Sequence, residues 1–183
     1  VREATARCLR DRFCENSIAH VRYLLYARKA NEDSFPSIAC LFRALALSRH
    51  TRASEQYHMI NELIGTRTAS ADTYFTFART MDNLERARDA EKEDANELLP
   101  AYAALAESQG EEAAARSLKR SVATGRHRAA LLEEVIRKTR HAAEEPKIDR
   151  LYVCHACGYV TGEIVPEGCP VCGGERTSFI TVT

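Results

Sequence analysis

This sequence predicts a mainly α fold: a four-helix bundle followed by a small β-rich metal domain. Three observations predict it. Up to residue 150 the only chain breakers are Gly65, Gly110, Gly125, Pro36, Pro100 and Pro146, and the stretch is rich in the helix formers Ala, Leu, Arg and Glu. In residues 151–183 glycine and proline crowd among β-branched runs. The same last segment holds two Cys-x-x-Cys pairs. The division places the bundle at 1–145 and the metal domain at 146–183, joined through the polar, proline-broken Glu144-Glu145-Pro146-Lys147.

A first helix is expected from Glu3 to about Ala30, where Phe13, Ala19, Tyr23, Tyr26 and Ala30 recur near helical spacing. Asn31-Glu32-Asp33-Ser34 is a turn. Ser34 or Ser37 can cap a second helix, with Pro36 tolerated in its first turn, and the helix runs to about Ile64 and stops at Gly65. Thr66 to Thr80 reads as a looser crossover. Asp82 can cap a third helix that runs to about Ser108 with a kink at Pro100; Gly110 closes it. A fourth helix follows from Glu111 to about Ala143. Two hairpins joined by a longer crossover give the connectivity of a ferritin-like bundle. Beyond it, Tyr152-Val153, Tyr159-Val160-Thr161 and Ser178-Phe179-Ile180-Thr181-Val182 read as short strands.

The chemistry is concentrated in the cysteines. Cys154, Cys157, Cys169 and Cys172 are spaced Cys-x2-Cys-x11-Cys-x2-Cys, and Gly158 and Gly173 follow the second cysteine of each pair. Such a glycine lets the backbone turn back so that amide N–H groups face the sulfurs. Four thiolates then close a tetrahedron around one ion, and that donor set suits iron or zinc. Cys8, Cys14 and Cys40 lie singly in helical sequence and are expected as small buried apolar groups. Seven cysteines, an odd number, argue against a disulfide framework.

Charge bounds the rest. The 26 basic and 26 acidic residues cancel, which gives no bulk attraction to nucleic acid or anionic lipid. No apolar run is long enough for a membrane helix. Val1-Arg2-Glu3-Ala4 has no apolar h-region, and a trimmed, cytoplasmic chain is expected.

The segment from Tyr152 to Tyr159, with Pro166-Glu167-Gly168-Cys169-Pro170-Val171-Cys172, resembles the rubredoxin-like domain at the C-terminus of rubrerythrins. The helical part is also similar to that family, in the same order. Its supports are Ala19-His20-Val21-Arg22-Tyr23, Ile38-Ala39-Cys40-Leu41-Phe42, Leu99-Pro100-Ala101-Tyr102-Ala103 and Gly125-Arg126-His127. The resemblance implies one iron in the four-cysteine site, with zinc the alternative. It also implies a homodimer, with one subunit's rubredoxin-like domain near the other's bundle, and a redox partner protein.

In the family, two irons sit between the helices. The first and third helices give carboxylates, and the second and fourth each give a Glu-x-x-His pair. Residues three apart share a helix face, so two such pairs grip two cations from opposite sides. At the matching positions this sequence has Asn16, Arg49 and Arg52, Glu91 and Asp94, and Thr124 and His127. Only Glu91, Asp94 and His127 keep a ligand chemistry. Guanidinium does not coordinate iron but fits carboxylates bidentately. The reading is that Arg49 and Arg52 point inward onto Glu91 or Asp94, a formally neutral network in place of a di-iron centre. The expected function is electron transfer, and the loss of ligands counts against catalysis. Two alternatives stay open. A register slip could assemble Glu15, Glu55, His58, Glu91, Asp94 and His127 into a remodelled di-iron site for peroxide reduction; or zinc could make the chain a structural or interaction protein. For His20, His50 and His141 surface positions are expected.

Overall fold

Apolar side chains at helical spacing bring four helical arms side by side. The structure, a computed structural model, describes residues 3–64, 78–142, 145–162 and 164–183. The first hairpin is α1 (Glu3–Glu32) and α2 (Pro36–Ile64). The third arm is interrupted: α3 (Thr80–Glu93) passes through a five-residue π-helical segment, Asp94–Leu98, into α4 (Leu99–Ser108). The fourth arm is α5 (Glu112–Ala142). The expected stop at Gly65 and most of the crossover from Thr66 lie outside the described residues, but α3 already begins at Thr80.

Near Pro100, where a kink is expected, the helix changes its winding. Proline lacks an N–H and its ring crowds the carbonyl four residues back. The wider π turn precedes it, and Pro100 sits in the first turn of α4. Opposite, an added Cβ on Gly125 would lie 3.0 Å from the Ala95 Cβ, so a glycine allows α5 to close on this segment.

The helix caps differ from expectation. Ser34 has φ 65° and ends the α1 turn, while Ser37 lies inside α2 and accepts from the Ile148 N–H at 3.1 Å. The free N–H of Ile38 is taken at 3.1 Å by the carboxylate of Glu145, from the segment that enters the C-terminal domain. Asp82 lies within the first turn of α3, and the cap comes from Asp33. Its Oδ2 accepts from the Thr80 N–H at 3.1 Å and the Thr80 hydroxyl at 2.7 Å. Carboxylates suit helix N-termini wherever in the chain they come from, and sequence proximity does not reveal the remote ones.

The interior is layered. At one end Leu9, Ile60, Leu99, Ala106 and Leu118 form an apolar cluster. At the other, Tyr23, Tyr26, Phe42, Leu45, Leu84 and Leu132 form a larger one. Between them every arm turns polar: Arg12 and Asn16 on α1, Arg49, Arg52 and Gln56 on α2, Glu91 on α3, and Ser117, Ser121, Thr124 and Arg128 on α5 are all buried.

The C-terminal domain is a three-stranded antiparallel sheet of β1 (Leu151–Cys154), β2 (Val160–Thr161) and β3 (Phe179–Val182), in the order β2-β1-β3. Leu151, Val153 and Val160 point into the same apolar cluster as Ile38, Leu41 and Phe42 of α2. Cys40 Sγ reaches the Val182 carbonyl at 3.6 Å. Cys8 and Cys40 are buried as expected; Cys14 is only half-buried.

Candidate metal centre

Each cysteine pair forms a tight knuckle. Gly158 (φ 76°) and Gly173 (φ 74°) occupy the left-handed region, where an L side chain is strained. Their N–H groups return to the carbonyls of Cys154 and Cys169, both at 2.8 Å. Cys154 N–H bonds to the Tyr159 carbonyl at 2.8 Å, and Cys169 N–H to that of Gly174 at 2.7 Å. The turns aim amides at sulfur: Ala156 and Cys157 N–H at Cys154, Tyr159 N–H at Cys157, Val171 and Cys172 N–H at Cys169.

The four sulfurs converge. Cys154 and Cys172 Sγ are 3.7 Å apart, Cys157 and Cys169 Sγ 3.5 Å, and all four lie within 4.8 Å of one another. A tetrahedron with metal–sulfur bonds of about 2.3 Å has edges of about 3.8 Å, so the sulfurs fit one thiolate-bound ion. The electrostatics favour one thiolate, at Cys154, while burial pushes the Cys169 thiol up. The Cys157 thiol and the amides of Ala156 and Cys157 hold the Cys154 thiol down at about 5. The proton is left on Cys157, whose pKa the same hydrogen bond and burial push up. Ligation requires the thiolate form, so binding an ion releases the protons held on Cys157 and Cys169. Among the described residues it is the one group of at least three Cys, His, Asp or Glu placed to hold an ion.

The buried layer of the bundle has a different chemistry. Arg49 lies on Glu91, with Nε to Oε1 at 3.0 Å and Nη2 to Oε2 at 2.9 Å, and on Asp94 Oδ2 at 3.2 Å. It also donates to Asn16 Oδ1 at 2.8 Å, and Asn16 donates to Gln56 at 2.8 Å. Arg128 joins Glu91 Oε2 at 2.9 Å, and the Tyr23 hydroxyl donates to Glu91 Oε1 at 2.7 Å. Arg12 grips Asp94 with two bonds of 3.0 and 2.8 Å. Burial alone would raise the Glu91 carboxyl, but Arg128 and Arg49 hold it below the usual carboxylate range. Asp94 is held down likewise, against burial, by Arg49 and Arg12. Burial first, and then Glu91, push the Tyr23 hydroxyl up.

Arg49 therefore meets both expected carboxylates. Arg52 points inward but meets neither. Its Nε donates to Ser121 Oγ at 3.0 Å, its Nη2 to Ser117 O at 2.7 Å and Ser117 Oγ at 2.8 Å, and its Nη1 pairs with Glu55. One helical turn along α2 from Arg49, it faces α5 rather than α3. Thr124 turns its hydroxyl back to the carbonyls of Arg120 and Ser121 in its own helix. His127 faces away from the layer: its Nε2 is 2.6 Å from the Val160 carbonyl and its ring lies 4.5 Å from that of Tyr159. Burial lowers its pKa, which keeps it neutral and donating to that carbonyl.

The register-slipped set is not brought together. Glu15 lies 3.6 Å from Arg22, Glu55 pairs with Arg52, His58 is exposed, and His127 is turned toward β2. His50 and His141 are exposed as expected, whereas His20 is half-buried against the Ala46 carbonyl at 2.9 Å.

Sequence reasoning missed Arg12, Arg128, Tyr23 and Gln56. The signal was present as a polar stripe at core spacing: Arg12, Asn16 and Tyr23 on α1, and Ser117, Ser121, Thr124 and Arg128 on α5. With them the layer is not neutral. Four guanidiniums, each 2% exposed or less, face the three carboxylates Glu91, Asp94 and Glu55, leaving one positive charge in excess.

Comparison with known proteins agrees with this architecture. The rubrerythrin family profile matches residues 9–144, and that of the rubrerythrin rubredoxin-like domain matches residues 152–180. The chain is 29% identical to Rubrerythrin-2 of Clostridium acetobutylicum, over 96% of this chain and 95% of the relative. It is 24% identical to nigerythrin of Nitratidesulfovibrio vulgaris, over 88% of this chain and 78% of the relative. The solved structure of fully reduced, all-ferrous nigerythrin superposes with a TM-score of 0.87 at 21% identity, covering 99% of this chain and 88% of that one, so the fold is shared. Both parts match in one order along nearly the whole length, and the chain belongs to the rubrerythrin family.

Proposed function

We propose that the chain is an electron-transfer protein that binds one iron through Cys154, Cys157, Cys169 and Cys172, and that the bundle carries an arginine–carboxylate layer in place of two irons. An iron held by four thiolates supplies one-electron exchange. The chain's own residues hold it and set its surroundings: the knuckle amides face the sulfurs, and Tyr159, Val171 and Phe179 pack against the cysteines. On the other side His155 and Ala156 are exposed, which leaves the first knuckle open to a redox partner protein.

The observation that carries the reading is the pairing of both Glu91 oxygens. Its Oε1 accepts from Arg49 Nε at 3.0 Å and the Tyr23 hydroxyl at 2.7 Å, and its Oε2 lies 2.9 Å from Nη2 of both Arg49 and Arg128 as an ion pair. A carboxylate enclosed by two guanidiniums has its charge compensated without a metal, and a nearby guanidinium repels a cation. The bundle then serves as a scaffold, and the homodimer follows from family membership alone. Balanced charge and the absence, among the described residues, of a helix fit to cross a membrane support a partner that is neither nucleic acid nor lipid.

Metal analysis with an optical spectrum tests the proposal. One iron per chain with thiolate-to-iron absorption is expected. Three irons per chain would restore the peroxide-reductase reading, and zinc alone would make the site structural.

A further inference from the structure

The two polar features are joined by hydrogen bonds that all run one way. Arg128 Nη2 holds Glu91 at 2.9 Å, and its Nη1 donates to Ser48 Oγ at 3.0 Å. The Ser48 hydroxyl donates in turn to the Gly158 carbonyl at 2.5 Å. That carbonyl belongs to the Gly158–Tyr159 peptide, whose N–H faces the sulfur of Cys157. Every donor in the series points from the guanidinium toward the sulfur.

The path is dry and tightly built. Ser48 is 0% exposed and Arg128 is 1% exposed. At Gly158 an added Cβ would meet the Ser48 carbonyl oxygen at 2.7 Å and its Oγ at 2.9 Å, so only glycine lets the knuckle approach α2 this closely. His127, the neighbour of Arg128, fixes the same face by its bond to Val160. The excess positive charge of the arginine layer thus lies behind the Cys154–Cys157 knuckle, which touches α2 at Ser48.

We propose that Ser48 and Arg128 form a polarising relay that raises the reduction potential of the four-cysteine centre. This rests on the reading that the centre holds iron. Each accepted hydrogen bond strengthens the next donor along the series. A carbonyl held by Ser48 makes the Tyr159 N–H a stronger donor to Cys157. Hydrogen bonds to sulfur and nearby positive charge favour the more negative, reduced centre. Reduction adds one electron to the centre, supplied by the redox partner protein, and no bond is made or broken. Ser48 and Arg128 are positioning residues; neither touches the metal.

A redox titration of the iron-loaded full chain, followed by its thiolate-to-iron absorption, tests this. Ser48→Ala cuts the relay and keeps every charge. At a fixed ambient potential it should raise the ratio of oxidised to reduced centre about tenfold, a midpoint lower by about 59 mV for one electron. Arg128→Lys keeps the charge, loses the reach to Ser48 and should shift the ratio in the same direction by a smaller factor. It carries the test if Ser48→Ala holds no iron. Ser54→Ala, a hydroxyl elsewhere on α2, should leave the midpoint unchanged. Iron-loaded Ser48→Ala and Arg128→Lys proteins with the unmutated midpoint would overturn the relay while leaving the electron-transfer reading intact. An unmutated chain that takes up zinc but no iron would overturn both.

Discussion

The four sulfurs come from one short stretch, Cys154 to Cys172, whereas the arginine layer draws on α1, α2, α3 and α5, from Arg12 to Arg128. Both place polar groups where water is excluded, but by different means. The knuckles carry their geometry locally, in two positive-φ glycines and the amides around them. The layer has no local geometry of its own; two apolar clusters, one at each end, hold its side chains in register. A spacing motif therefore describes the first completely and the second not at all.

The contrast is broken most severely at the sulfurs. Cys157→Ser should abolish metal binding, which in small thiolate domains supplies on the order of 10 kcal/mol of folding free energy. Metal content should fall to background, and residues 151–183 should become protease-sensitive. A Cys157→Ser chain with full occupancy and a resistant tail would show that the site is not built as described.

In the layer the expected loss is smaller and shared. Arg49→Ala leaves Glu91 and Asp94 short of a partner, and breaking such a buried pair costs about 3–5 kcal/mol in thermal or denaturant unfolding. Arg49→Ala with Asp94→Ala should cost less than the two single changes added together, by about 0.5–3 kcal/mol. Arg52→Ala with Asp94→Ala should instead be additive within about 0.5 kcal/mol, because Arg52 binds Ser117, Ser121 and Glu55. Coupling in the second pair would mean that the layer rearranges as one unit.

Acid probes the same layer. Glu91 and Asp94 titrate below their unfolded values, so their stabilisation is complete above the ordinary carboxylate range of about 4 and is lost as pH falls through the lowered values. Unfolding midpoints measured from pH 6 downward should decline most steeply below about pH 4, and less steeply in Glu91→Gln. A smaller change sits at the seam between the two regions. His127→Ala removes the bond to Val160 and should cost about 1 kcal/mol, with the metal retained.

How far the sequence could be read follows the same contrast. Helix extents, strands and the cysteine site were legible because periodicity and spacing encode them directly, whereas the inward face of Arg49 was implied only by the resemblance of its position to a metal-ligand position in rubrerythrins. Arg52 could be assigned to the interior but not to α5, because one helical turn changes which neighbour it faces. Asp33 and Glu145 were invisible as caps, since each serves a helix whose start is remote or differently ordered in the chain. Arg12 and Arg128 were not singled out; their burial depends on four arms supplying partners at one level.

Leu151, Val153 and Val160 belong to the cluster that also holds Phe42 and Leu132. Two modules that composition separates thus share an interior, and with the metal bound they are expected to melt together, because opening either exposes part of the other's apolar surface. Calorimetry should give a single transition whose van't Hoff and calorimetric enthalpies agree. Loss of the metal would then reach the helices as a lower melting temperature for the whole chain, and the bundle itself becomes a reporter of whether the cysteines are filled.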